Sequence, residues 1–212
     1  MPPKVKKSLR VSVRDPDRTR SRILEAALKE FSKSGFAGAR VDSIVRRAKV
    51  NKRMLYHYFT DKEGLFRAVL RHKINERRVR VESQAASNDE ISIVSLWFQQ
   101  NCQDADWVRL LAWESLQTTN DTVLDEAERR RIVRQAEAHI RKKQTAGILR
   151  KDLPADYLQL AKVSLSMFPL ALPQIARLIT GYLPHDAKFQ REYARFLETI
   201  SAAFRPSKVA RK

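Results

Sequence analysis

The chain has 212 residues, 43% of them hydrophobic and 31% charged, with a formal net charge of +18, five glycines and one cysteine. That apolar content excludes wholesale disorder, and the lone Cys102 excludes an intramolecular disulfide or a cysteine-based zinc site. The charge is uneven: residues 1–80 carry 23 Lys/Arg against 8 Asp/Glu, residues 81–212 carry 19 against 16. A polyanion is therefore expected at the N-terminal third. Nucleic acid is the first candidate; an anionic membrane surface, the second, would want a long amphipathic helix with a basic polar face.

Helix formers dominate and no alternating β-branched run appears, so an all-α fold is expected. Residues 1–14 read as a flexible basic arm without the apolar run of a signal peptide. No stretch approaches the ~20 apolar residues of a membrane span, so a cytoplasmic, nucleoid-associated protein is expected, with no membrane partner. Asp15-Pro16 starts a first helix that buries Ile23, Leu24, Ala27, Leu28 and Phe31 and ends at Gly35. Val41, Ile44, Val45 and Ala48 mark a short second helix. After the turn Lys49-Val50-Asn51, Asn51 caps a third helix carrying Met54, Leu55, Tyr58 and Phe59. Thr60 and Glu63 form a capping box for a fourth helix reaching about Ser83. Ser87-Asn88-Asp89 reads as a domain border. The expected division is thus an arm (1–14), an N-terminal helical unit with its connecting helix (15–84), a C-terminal helical domain (85–204) and a basic tail (205–212).

Two short helices joined by a tight turn suit a helix-turn-helix, whose second helix enters the major groove. That helix must keep one face apolar for docking. Residues 51–59 do so, leaving Asn51, Lys52, Arg53, Tyr56 and His57 outward.

The stretch Arg22–Leu70 resembles the DNA-binding domain of the tetracycline-repressor (TetR) family. The resemblance is carried by Ile23-Leu24-Glu25-Ala26-Ala27, Phe31, Gly35-Phe36, Val41-Asp42-Ser43-Ile44, Ala48, Val50, Leu55-Tyr56-His57-Tyr58-Phe59 and Lys62-Glu63-Gly64-Leu65. It implies that Lys52 and Arg53 reach base edges, that Tyr56 and His57 bond phosphates, and that Lys62 and Arg40 clamp further phosphates. Arg10, Arg14, Arg18 and Arg20 would follow the adjacent groove. Three departures stand out. Lys49 sits where the family often has Gly, Arg53 and Met54 replace a small residue, and Ala39 takes the usual Ser/Thr cap position of the second helix.

Beyond residue 89, helical segments are expected near 89–103, 105–118, 121–147 and 155–168, with Pro169 and Pro173 interrupting the last. A short helix to Thr180 and a final striped helix over 189–204 follow. Segments 155–168 and 189–204 are the candidate two-fold interface of a homodimer. Trp97, Phe98, Asn101, Trp107, Trp113, Glu114, Gln117, Met167 and Phe168 either line an effector cavity or simply fill a helical core. Cys102 reads as a small buried residue in preference to a redox sensor. No cofactor, metal site or catalytic constellation is expected: phosphate loop, nucleophile elbow and metal-spaced histidines are all missing from the sequence. The expected function is a repressor released from palindromic double-stranded DNA by a small-molecule effector. The alternative is a nucleoid-associated protein of the same fold without one.

Removing residues 1–14 is expected to weaken binding to every DNA sequence. It should also flatten the salt dependence, by about 0.9 in slope for each phosphate that the arm no longer neutralises. Titrations at several salt concentrations check this; an unaltered slope takes the arm out of the interface.

Overall fold

The computed structural model describes residues 15–85, 92–117 and 123–206. The arm, the expected border at Ser87–Asp89 and most of the basic tail lie outside them. Ten helices occur among the described residues: α1 (Pro16–Gly38), α2 (Val41–Ala48), α3 (Lys52–Tyr58), α4 (Lys62–Ala85), α5 (Ile93–Gln103), α6 (Ala105–Gln117), α7 (Glu126–Thr145), α8 (Ala155–Ala171), α9 (Pro173–Thr180) and α10 (Ala187–Ala202). The all-α expectation holds.

Helix starts follow from side-chain caps. The Asp15 carboxylate accepts the amides of Asp17 and Arg18, with Pro16 in the first turn. Gly35 adopts φ 66, ψ −179, a region open essentially to glycine, and the helix breaks there before resuming for a turn to Gly38. The capping box expected at Thr60 moves by one residue. Asp61 Oδ1 accepts the Gly64 amide at 2.6 Å, and Glu63 pairs with Arg67 one turn along instead of reaching back.

The weak cap expected at Ala39 is replaced from another helix. Ala39 closes α1, its amide bonded to Gly35, and Arg40 stands at the N-cap of α2 with no side-chain cap of its own. The Glu30 carboxylate on α1 takes over: Oε1 accepts the Arg40 amide at 3.1 Å and Oε2 the Ser43 hydroxyl at 2.7 Å. A donor left over at the start of α2 is thereby satisfied, and α2 is fastened to α1. Lys49 then turns the chain in the left-handed conformation, φ 53 and ψ 47, at the position where the family often places glycine.

The expectation that both Pro169 and Pro173 break the eighth helix is half corrected. Pro173 begins α9, which leaves α8 at 88°. Pro169, however, lies buried inside α8. A proline there donates no hydrogen bond to the carbonyl four residues back. That carbonyl belongs to Leu165, and the Tyr193 hydroxyl of α10 donates to it at 2.9 Å. The final turn of α8 survives because α10 supplies the missing donor.

The largest apolar cluster joins Ile23, Phe31, Ile44, Leu55, Phe66 and Leu70 of α1–α4 to Trp107, Val108 and Leu110 of α6. Phe66 meets Phe31 edge-on at 5.0 Å and Phe36 at 5.5 Å. A second cluster sets Val94 and Phe98 of α5 against Ala176, Phe189 and Leu197. A third gathers Ile140, Leu149, Ala155 and Leu158.

Glu30→Ala is expected to cost about 1–2 kcal/mol at neutral pH, the range of a lost helix cap. Burial alone would raise the Glu30 pKa. The Ser43 hydroxyl, the Arg40 amide and the charges of Lys33 and Arg47 outweigh it and hold the carboxyl below 4.5. With the folded value depressed, the charged group's contribution is complete above the unfolded pKa and disappears as pH falls through the folded one. The gap between wild type and Glu30→Ala in urea unfolding should therefore narrow in acid; a gap that widens there refutes the assignment.

Candidate functional site

Helix α3 divides into two faces. Leu55 and, just past its end, Phe59 are buried, while Met54 and Tyr58 are half-buried. Asn51, Lys52, Arg53, Tyr56 and His57 all stand exposed on the other side. Asn51 Oδ1 accepts the Met54 amide at 2.7 Å, so the residue that starts α3 also borders its polar face. Lys52 Nζ pairs with Asp42 of α2 at 2.8 Å; that hydrogen bond and charge raise the lysine's pKa further above its ordinary value. Arg40 is exposed, as are Arg46, Arg47 and the turn residue Lys49. Lys62 is placed differently from its expected outward role. It donates to the Ala37 carbonyl at 3.2 Å and lies 5.0 Å over the Phe36 ring, anchoring the end of α1. An ammonium has three donors, so two remain for an outside acceptor.

A cavity of about 240 Å³ lies among α4, α5, α6, α7 and α8. Of the residues read as a possible pocket, Trp97, Asn101, Trp107 and Met167 line it. Four others do not. Phe98 is fully buried in the second cluster, 4.9 Å from Tyr193, because adjacent helical positions point about 100° apart. Phe168, next to Met167, turns outward for the same reason and is 48% exposed. Trp113 faces α1, its indole donating to the Ser32 carbonyl at 3.2 Å. Glu114 is buried but pairs with Arg129 at 2.6 Å. Gln117 ends α6, and its side chain lies outside the described structure. Sequence reasoning missed Arg77, Arg78, Ile132, Gln159 and Val163. The first two were findable, since they follow Ile74 by three and four positions and so continue its buried stripe.

The cavity and the helix-turn-helix are tied together. Asp106, at the start of α6, accepts from Lys29 and, at 2.9 Å, from the Ser32 hydroxyl. Burial alone would raise its pKa, but these two hydrogen bonds and the charges of Lys29 and Arg109 hold it below the ordinary aspartate value. Lys73 of α4 meets Asp104 at 2.6 Å, and Arg71 meets Asp125 at 2.8 Å. Burial pushes the Cys102 thiol up to about 11, so it is neutral at physiological pH and serves as a small apolar filler. Among the described residues no single helix is long and apolar enough to cross a membrane.

A tight-turned pair of short helices with a polar outer face, set in a basic N-terminal unit on a helical body, defines a helix-turn-helix DNA-binding regulator. The family described as bacterial regulatory proteins, tetR family, matches residues 23–69, and the tetracyclin repressor-like C-terminal domain matches residues 94–205. The chain is 30% identical over 171 residues to the HTH-type transcriptional repressor SCO4008 of Streptomyces coelicolor, covering 81% of this chain and 88% of that one. It is 37% identical over 111 residues to the HTH-type transcriptional repressor NicS of Pseudomonas putida, covering 50% and 52%. A crystal structure of the S. coelicolor regulator SCO4942 superposes with a TM-score of 0.70 at 24% identity, covering 89% of this chain and 98% of that one. The chain belongs to the TetR family. Regulators of this family bind operator DNA and small-molecule ligands and act as dimers.

Proposed function

We propose that this chain is a dimeric repressor, released from a near-palindromic operator when a small molecule fills the cavity. One observation carries the reading: α4 belongs to both parts. Its first turns place Leu65, Phe66, Val69 and Leu70 in the core that holds α2 and α3, and its later turns place Ile74, Arg77 and Arg78 on the cavity wall. A ligand that repositions α4 shifts the recognition helix with it. Coupling of about 3 kcal/mol lowers DNA affinity roughly 150-fold.

In this reading Lys52 and Arg53 reach base edges, with Lys52 exchanging Asp42 for DNA. Tyr56, His57 and Arg40 bond phosphates, and Lys62 adds a phosphate to its Ala37 contact. Asn51 orients the helix whose N-terminal amides face the backbone. The alternative of a constitutive nucleoid protein is disfavoured by the cavity, since that reading expects a filled core. The names of the two repressor relatives point the same way.

Dimerisation is assigned to the outer faces of α8, α9 and α10. Tyr157, Leu160, Phe168, Leu172 and Phe196 are exposed there, and Leu178 and Ile179 are 81% and 76% exposed. An apolar surface of that extent marks an interaction site. Covering it with a second copy would contribute about 1.5–3 kcal/mol per large side chain fully buried. Two recognition helices could then meet half-sites about 34–36 Å apart.

Ile179→Glu should convert dimer to monomer in sedimentation equilibrium and weaken operator binding at least tenfold; a persistent dimer would move the interface elsewhere. Arg53→Ala should cost about 1–3 kcal/mol and relax base preference at one operator position in a binding-site selection. Unchanged selectivity would remove Arg53 from base recognition.

A further inference from the structure

The chemistry of the cavity wall narrows what can occupy it. Among the described residues the lining contains two guanidinium groups, Arg77 and Arg78, and neither an aspartate nor a glutamate. The other polar groups there are neutral, namely Gln100, Asn101, Gln159 and Ser166, and the remaining wall is apolar, with Trp97 and Trp107 its largest members. From outside the lining Asp104 pairs with Arg77, its Oδ2 standing 3.6 Å from Nη1 and 2.6 Å from Lys73 Nζ. The Arg77 guanidinium also donates to Asn101 Oδ1 and lies 5.4 Å over the Trp107 ring. Asn101 is held in turn by its Nδ2 donating to the Ser166 carbonyl at 3.1 Å, so these two polar members of the wall are oriented by it. Guanidinium groups keep their charge at every pH a protein survives, and their donor fork matches a carboxylate in two-point geometry.

We propose that the cavity is selective for a small amphipathic anion. Its carboxylate would meet Arg77 and Arg78, and its flat or short-chain apolar body would lie against Trp97, Trp107 and Met167. This rests on reading the cavity as the effector site. The size agrees: about 240 Å³ is the room of roughly eight waters at ~30 Å³ each, enough for one or two rings or a short acyl chain. The charge also gives the ligand a grip on α4. A bound carboxylate competes with Asp104 and Asn101 for Arg77, so occupancy re-partners a side chain of the helix that also carries the DNA-binding core.

Calorimetric titration of the full-length protein with three isosteric pairs tests this: benzoate and benzamide, hexanoate and hexanamide, indole acetate and indole acetamide. In at least one pair the carboxylate is expected to bind about 10- to 100-fold more tightly than its amide. Arg77→Gln and Arg78→Gln should each shrink that ratio, and Arg77→Lys should keep part of it. Thermal midpoints of the ligand-free variants separate lost recognition from lost folding, because only recognition changes the carboxylate-to-amide ratio. Amides that bind as well as their carboxylates in every pair overturn the proposal, and so does the absence of binding by all six compounds. Release of operator DNA by the amides would leave the effector reading standing while the charge selectivity falls. Failure of every compound both to bind and to release DNA would count against both.

Discussion

Trp107, Val108 and Leu110 of α6 lie in one apolar core with Ile23, Phe31, Leu55 and Phe66, so the N-terminal helices and the helical body are not two independently closed units. The polar ties across the same seam are weaker partners in this. Lys29 is largely exposed where it meets Asp106, and an ion pair of that kind contributes about 0–1 kcal/mol. Each large apolar side chain buried in the shared core contributes about 1.5–3 kcal/mol. Burial therefore holds α1 against α6, while Asp106 and Trp113 determine the register in which they meet, through directed bonds to Lys29 and Ser32. Everything proposed for communication between cavity and DNA depends on that seam being continuous.

Helix α4 gives the seam its reach. From Lys62 at its start to Arg77 on the cavity wall, it spans sixteen residues, about 22 Å along the axis at 1.5 Å per step. A tilt of about 5° over that length carries one end by about 2 Å, the scale on which helix shifts switch assemblies between states. Arg71, Lys73 and Arg77 are bound along it to Asp125 and Asp104, so the helix is pinned from the loop before α7 as well as from the α5–α6 junction.

The fold was readable in the sequence wherever one helix carries its own signals. Asp15-Pro16, Asn51 and the apolar spacing of α2 each place an element to within a residue or two. Reading failed where the signal lies on a different helix. Ala39 looked like a missing cap because Glu30, which supplies it, is ten residues before Arg40 on another element. Pro169 looked like a helix end because Tyr193, which replaces its hydrogen bond, lies 28 residues after the carbonyl it serves. The outward face of α3 was legible for the same reason as its buried face, both being fixed by one short period. The cavity was half legible. The large apolar side chains pointed to Trp97 and Met167 but could not tell them from Phe98 and Phe168, their immediate neighbours, until the direction of each helix was known.

The division of α3 has a consequence for how such a protein can change over generations. The helix is only seven residues long, too short to persist without tertiary support, and its placement depends on Leu55, Phe59 and the left-handed turn at Lys49. None of the exposed positions Lys52, Arg53, Tyr56 and His57 contributes to that core. Substitution at those four sites is therefore nearly neutral for folding, so target preference can drift across a lineage without first acquiring a stabilising background. The inward positions lack that freedom. A duplicated copy of this gene could take up new control sites by mutating one solvent-facing strip of a single short helix.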